Sequence, residues 1–262
     1  DFANQMFVSY WYALYIIVFG NVLVFRFLRQ GYLFWRYRFR VENVVKEADG
    51  ATSIYIGGRD LDKFHIQPGQ FMVLRFLDKK RWWEAHPFSL SSVPKDGFLR
   101  ITVKDVGDFT HEIHGLKKGT LILLDGPLGT FIQKRAQSDK FLFIAGGVGI
   151  TPIRALIDQI APLKKDLVLL YSNKTQEIIF IEELDKISEK YTFPIHYIVT
   201  QDPNFKGETG RIDGEKIKKT CPDFLQRDIY LCGPAPMMEA IIKDLKSLGV
   251  PHSQLHYEKF TL

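Results

Sequence analysis

The stretch Phe141-Leu142-Phe143-Ile144-Ala145-Gly146-Gly147-Val148-Gly149-Ile150-Thr151-Pro152 decides the fold. Five apolar residues with no polar break read as a strand buried on both faces, as a parallel sheet covered by helices requires. The run meets three glycines and passes into a helix, with Thr151 as its expected cap and Pro152 at the first helical position. Glycine lets backbone approach a ligand, and the amides and dipole of a helix start favour negative charge. Gly146, Gly147, Gly149, Thr151 and Pro152 are therefore expected to cradle the pyrophosphate of a dinucleotide. The spacing departs from G-x-G-x-x-G, so a tight turn competes as an explanation of the loop taken alone.

Downstream of this stretch, strands alternate with helices. Helix is expected at 152–160, 177–189 and 236–248, and strand at 167–171, 195–199, 229–232 and 255–257, a doubly wound parallel α/β pattern. Upstream, short strands at 54–56, 70–76, 98–103 and 120–124 are bounded by Gly57-Gly58, Pro68-Gly69, Asp96-Gly97 and Gly126-Pro127, which reads as an antiparallel barrel. Residues 133–139 are the expected hinge, and ligands are expected in the cleft between the two units. The organisation read from the chain is 1–40, 41–137 and 138–262.

The first segment differs in kind. No residue from Met6 to Phe25 is ionisable at neutral pH, and about 20 helical residues span roughly 30 Å of hydrocarbon. Tyr10, Trp11, Tyr12 and Tyr15 suit one membrane interface, and the arginines from Arg26 onward mark the other as cytoplasmic. A secretory signal would carry its charges before the apolar run, and a buried core helix is the other competing reading. Net charge is +5, and Arg26, Arg29, Arg36, Arg38 and Arg40 against Asp1 account for four of those charges. The remainder is nearly neutral, which excludes a nucleic-acid footprint. Only Cys221 and Cys232 are present, so neither a disulfide framework nor a four-cysteine metal site is expected; His111, His114, His252 and His256 lack metal-ligand spacing.

At the end of the second α/β strand stand Ser172, Asn173 and Lys174, where an NAD-selective site often carries an acidic residue for the ribose hydroxyls. Lys174 and Arg211 are candidates to pair with a 2′-phosphate, or are solvated surface charges, so NADPH and NADH both stay open.

Five motifs follow in order: His86-Pro87-Phe88-Ser89, Gly107-Asp108-Phe109-Thr110, Asp125-Gly126-Pro127-Leu128-Gly129, the glycine stretch above, and Cys232-Gly233-Pro234. Together they resemble the ferredoxin–NADP reductase superfamily, and the forms His-Pro-Phe-Ser and Gly-Asp-Phe-Thr after an apolar helix look most like its NADPH oxidase and ferric reductase family. The resemblance implies a six-stranded antiparallel FAD-binding barrel, a doubly wound NAD(P)-binding domain and one preceding transmembrane helix. It implies that Phe88 stacks on the isoalloxazine and that Ser89 bonds its N5. His86 stands where many superfamily members carry an arginine for the FAD pyrophosphate, and Lys104, Gly107, Asp108 and Thr110 are the groups expected to compensate. Cys232, Gly233 and Pro234 are placed beside the nicotinamide. Glu258 orients its amide, and Phe260 covers the flavin face and moves aside, although Thr261 and Leu262 extend past the usual end.

Hydride from NAD(P)H would pass to FAD, and single electrons onward to haem b and then to oxygen, giving superoxide, or to ferric iron. No histidine lies between Met6 and Phe25, so the haem domain is expected on further chain upstream of Asp1, in the plasma membrane, with the dehydrogenase cytoplasmic. The alternatives are a single-span, membrane-anchored flavin reductase serving a separate haem or iron–sulfur carrier, and a non-catalytic redox sensor that binds FAD and nucleotide.

Overall fold

The computed structural model describes residues 2–202 and 204–259. The chain opens as a helical rod: α1 (Phe2–Val22), a π-helical segment (Leu23–Leu28) and α2 (Arg29–Tyr37) follow without a break. The stretch Asn4–Tyr37 is long and apolar enough to cross a membrane by length and composition, and its most apolar window is wholly exposed. Where the sequence suggests a basic linker after Phe25, the structure instead continues the helix to Tyr37. The reason is tertiary. Leu33 is buried, Arg29 donates to Asp125 (2.8 Å) and to the Gly126 carbonyl (2.7 Å), and Gln30 donates to Asp125 (3.1 Å). The helix stops at Arg38, which turns to φ +50°.

Six strands follow: β1 (Arg40–Lys46), β2 (Ala51–Gly57), β3 (Phe71–Phe76), β4 (His86–Ser89), β5 (Leu99–Lys104) and β6 (Ile122–Leu128), with a one-turn helix α3 (Asp108–His111) before β6. They form two antiparallel sheets, β1-β2-β5 and β4-β3-β6, joined through bridges Leu90–Ile101 and Arg40–Leu121 into a barrel. The period of two is clear on β3, where Met72, Leu74 and Phe76 are buried and Phe71, Val73 and Arg75 face outward. Gly126-Pro127, expected to be the turn ending a strand, lies within β6, paired across to β3 with a register irregularity.

The second unit contains β7 (Lys140–Gly146), α4 (Ile150–Ile160), β8 (Asp166–Asn173), α5 (Ile181–Tyr191), β9 (Ile195–Val199), β10 (Glu208–Thr209), α6 (Gly214–Thr220), β11 (Asp228–Gly233), α7 (Ala235–Ser247) and β12 (Leu255–Lys259). The sheet is parallel throughout, in the order β10-β9-β8-β7-β11-β12, so the winding reverses beside β7. Phe141 and Phe143 pack with α4 and α5 on one face; Leu142 and Ile144 pack with α6 and α7 on the other. Each of these burials contributes roughly 1.5–3 kcal/mol, which explains the unbroken apolar run. Helix α5 begins at Ile181 rather than at 177, because Ile178 and Ile179 turn into the core and Phe180 takes φ +64°.

The two units are locked by one buried polar cluster. Arg100 of β5 donates to Glu183 of α5 (2.9 Å, twice), to Glu47 (2.7 Å) and to Ser53 (3.0 Å). Arg154 of α4 donates to Glu183 (2.8 Å) and to the Ser91 carbonyl (2.8 Å). The Arg100 guanidinium lies 4.6 Å from the Phe180 ring centroid. Burial by itself would raise the Glu183 carboxyl, but hydrogen bonds from Arg100 and the charges of both arginines outweigh it and hold that group below the usual carboxylate range. Residues 133–139 are no free hinge either: Gln137 and Ser138 donate their amides to Asp228 at 2.8 and 2.6 Å.

Glu183→Gln leaves two buried guanidiniums short of a counter-charge and should cost about 2 kcal/mol in urea denaturation, below the usual range for a buried pair because Glu47 and Asp158 remain and Glu183 is half-exposed. The folded carboxyl titrates below its unfolded value. Its contribution is therefore present at neutral pH and lost as pH falls through the folded value, so the gap between wild type and variant should close in acid.

Candidate functional site

The barrel and the α/β sheet meet at Gly129, where the start of β3 and the end of β6 come against the carboxyl end of β12. Ser89 and Phe71 are cross-strand partners and share one face of the sheet. Gly129 follows β6 with φ +92°; a Cβ there would lie 3.0 Å from the Phe71 ring and 3.1 Å from Glu258 Oε1. Gln70 Nε2 donates to the Gly129 carbonyl (3.3 Å). Gly69, with φ +88°, must also be glycine, since a Cβ would strike the Phe131 carbonyl at 1.7 Å.

Two oxygens at this junction stand out. Ser89 Oγ and Glu258 Oε2 are buried without a hydrogen-bond partner among the described residues. A buried polar atom left unpaired costs about 1–3 kcal/mol, so each marks a place where a polar ligand atom fits. Burial raises the Glu258 carboxyl to about 7, which makes it half-protonated near neutrality and able to donate as well as accept. Cys232 is fully buried beneath β12, its thiol 3.8 Å from the Glu258 carbonyl. Burial pushes that thiol well above its ordinary value, so it remains a neutral SH.

The alternation along β4 divides the His-Pro-Phe-Ser motif. His86 and Phe88 lie opposite Ser89 and stack with Phe109, whose ring centroid is 4.0 Å from His86 and 6.3 Å from Phe88. Pro87 is exposed, and His86 Nε2 is 3.3 Å from Glu84. The groups expected to hold the pyrophosphate beside them are largely engaged elsewhere. Lys104 is paired closely with Asp49, so its charge is already neutralised. Thr110 Oγ1 accepts from the amides of Val106 and Gly107 (both 2.9 Å) and donates to the Gly107 carbonyl, capping α3 internally. Asp108 is exposed. A cation that the sequence reading passed over is Arg75. It lies on the outward face of β3 with Phe71, and its buried Nε has no partner among the described residues.

The glycine loop is also rearranged. A 3₁₀ turn, Gly147–Gly149, precedes α4 and Gly149 stands at the N-cap, so Thr151 lies inside the first turn, buried with Pro152, and does not cap the helix. A Cβ on Gly146 would sit 2.4 Å from Met237 Sδ, and one on Gly149 2.4 Å from the Cys232 carbonyl. Those two glycines are required by packing of β7 against β11 and α7. Gly233 meets Gly146 Cα at 3.1 Å in the same way, and Pro234 caps α7. Among the three glycines of this loop it is Gly147, half-buried at φ +53°, that has open space before it, and the Tyr171 hydroxyl donates to its carbonyl at 3.2 Å.

Ser172 and Asn173 are buried at the end of β8, and the Asn173 amide ties down the Thr175 and Glu177 carbonyls (3.2 and 3.1 Å). Lys174 and Arg211 are exposed beyond β8 and β10, along the carboxyl edge. Phe260 lies outside the described residues. Phe71, not singled out from sequence, carried one available signal: an aromatic on the outward register of a strand otherwise alternating into the core; Gly129 was quoted only as the end of the Asp125–Gly129 motif.

Comparison with known proteins agrees with this geometry. Residues 43–130 match the family described as an FAD-binding domain, and residues 143–243 the one described as an oxidoreductase NAD-binding domain. A flavohemoprotein of Candida albicans is 28% identical over 231 residues, covering 83% of this chain and 58% of that protein. The glycine betaine monooxygenase reductase subunit of Pseudomonas aeruginosa is 31% identical over 240 residues, covering 86% and 64%. The chain thus spans less than two thirds of the length of these relatives. The flavohem-like FAD/NAD-binding domain of nitric oxide dioxygenase from Vibrio cholerae superposes with a TM-score of 0.75 at 24% identity, covering 85% of this chain and 98% of that one. A ferredoxin NADP+ reductase from Neisseria gonorrhoeae, solved with FAD and NADP, gives 0.69 at 20%, covering 84% and 98%. The chain carries an FAD-binding barrel followed by an NAD-binding domain, in the ferredoxin reductase-type arrangement.

Gly149→Ala should destabilise the fold by about 2–3 kcal/mol through its backbone clash, whereas Gly147→Ala should cost only about 1 kcal/mol of positive-φ strain; thermal unfolding of the two variants reads the difference. Relative to Glu258→Gln, wild-type stability should fall as pH rises from the ordinary carboxylate range to about 7, because the folded state holds the proton more tightly. Urea titrations across that window test the sign.

Proposed function

We propose that the chain is an NAD(P)H-oxidising flavoprotein reductase that takes hydride at the junction of its two domains and hands electrons singly to a separate haem or iron–sulfur partner. The observation that carries this reading is that Gly129 stands between the two domains' contributions: a Cβ on it would lie 3.0 Å from Phe71, the cross-strand partner of Ser89, and 3.1 Å from Glu258 Oε1, while Ser89 Oγ and Glu258 Oε2 are buried with no partner among the described residues. Bound FAD supplies two-electron acceptance and one-electron release. Ser89 offers a hydroxyl to the ring and Phe71 apolar surface on the same face of the sheet, where Arg75 is the group available to its phosphates; His86 and Phe88, expected in these roles, lie on the opposite face against the barrel core. Glu258 orients the nicotinamide amide, and Cys232 packs beneath it. Gly147 and the start of α4 receive the dinucleotide pyrophosphate. The names of the relatives, flavohemoproteins and oxygenase reductase subunits, support a partner of this type.

A second, finer reading is favoured by the exposed helix Asn4–Tyr37. In it the chain is the dehydrogenase of an NADPH oxidase or ferric reductase in the plasma membrane, with α1 in lipid, the domains cytoplasmic, and haem b on other helices of the same chain reducing oxygen or ferric iron. Flotation with liposomes tests the membrane placement, since a chain that stays with the aqueous fraction overturns the second reading.

Anaerobic mixing of the FAD-loaded protein with NADPH or NADH should bleach the flavin, and Ser89→Ala should slow that step about 100-fold. Flavin that stays oxidised at saturating levels of both nucleotides would sink the enzymatic reading and leave a binding protein. If Lys174 and Arg211 recognise a 2′-phosphate, replacing both with Gln should raise KM for NADPH at least about tenfold and leave NADH unchanged.

A further inference from the structure

Between the barrel and the α/β sheet, residues 129–140 run down one face of β11 and β12, and contacts hold them at three levels. At the carboxyl end Gly129 lies against Glu258. Halfway, the Tyr230 hydroxyl donates to the Ile132 carbonyl (2.9 Å) and the Phe131 ring packs edge-on against Tyr230 at 5.2 Å. At the amino end Asp228, fully buried, accepts the amides of Gln137 and Ser138 on Oδ2. Its Oδ1 accepts from His256 Nε2 at 2.7 Å, and the His256 ring stacks on Tyr230 at 4.5 Å.

His256 and Glu258 stand two residues apart on β12 and so share a face. β12 is an edge strand with a ladder to β11 alone. One ladder leaves an edge free to twist or shift, and a side-chain bond to a buried carboxylate is what fixes it. Asp228 is therefore bonded at once to the connector and to the strand that bears the unpartnered Glu258 oxygen.

We propose that His256 is a positioning residue, which clamps the terminal strand to the connector through Asp228 and so keeps the Glu258 carboxyl beside Gly129 where the nicotinamide enters. This inference rests on the hydride-transfer reading above and deepens it. Without the imidazole N–H, one oxygen of a fully buried carboxylate loses its partner, and β12 is free to shift to find another.

The test pairs His256→Phe, which keeps the ring and its stack on Tyr230 but has no donor, with His256→Gln, which restores an N–H. In the cofactor-free protein, His256→Phe should speed amide exchange at Gln137, Ser138 and residues 255–258 while leaving β7 and β8 unchanged. In the FAD-loaded protein it should raise KM for NAD(P)H about tenfold, with a smaller loss in the saturated hydride-transfer rate. His256→Gln should restore both readouts. In a Glu258→Gln background, His256→Phe should add less than about twofold, because its effect passes through that carboxylate. Unchanged exchange and KM in His256→Phe, or effects that multiply with Glu258→Gln, would overturn the clamp. If His256→Phe does not fold, Asp228→Asn carries the same expectations. Should wild-type flavin resist reduction altogether, the functional reading falls, and the exchange pattern alone decides whether the clamp exists.

Discussion

The Glu183 carboxylate, held between Arg100 of the barrel and Arg154 of the α/β unit, joins the two domains by charge-assisted hydrogen bonds. Taking these charges out of water is expensive, and the cost is offset only because nearly every donor is matched: Glu47, Ser53, Asp158 and the Ser91 carbonyl complete the set. An apolar interface would hold the domains together with less directional preference. Guanidinium forks accept few orientations, so this contact favours one arrangement of barrel against α/β sheet. In that arrangement Gly129 lies between Phe71 and Glu258.

With the domains held there, the junction divides its duties. The barrel contributes an unpaired hydroxyl and aromatic surface. The α/β sheet contributes a carboxyl whose burial brings its proton affinity near neutrality and a thiol buried too deeply to ionise. A site assembled from two domains in this way is polar only where a ligand supplies the missing partners, and apolar elsewhere. The same division explains why connector residues 129–140 are strapped to β11 and β12: their path sets the gap between the two contributions.

The helix Asn4–Tyr37 joins this frame through Arg29, Gln30 and Leu33 on the barrel wall formed by β6. Asp125 and Gly126, which receive it, lie four and three residues before Gly129. Whatever surface the exposed apolar length of that helix meets, it meets it in fixed relation to the flavin-binding sheet.

Much of this was legible in residue order. The unbroken run Phe141–Ala145 gave a buried strand because hydrophobic patterning is a local property, and short strands bounded by Gly and Pro turns gave the antiparallel barrel because turn chemistry is local too. The motif residues Ser89, Cys232 and Glu258 were singled out by their resemblance to a known family's motifs, not by any local property of the chain. What residue order could not supply was which partner each group finds. Lys104 looked like a free cation until folding brought Asp49 beside it; Gly146 and Gly149 looked like phosphate glycines until Met237 and the Cys232 backbone filled the space before them; Thr151 looked like a cap until a 3₁₀ turn moved the helix start upstream. Local chemistry by itself determined an antiparallel unit followed by a parallel α/β unit with a glycine loop suited to a dinucleotide, and the flavin entered through the resemblance of the motifs. Only the tertiary structure decided which polar atoms remain unpaired, since pairing across 50 to 100 residues depends on distances in space that sequence separation does not encode.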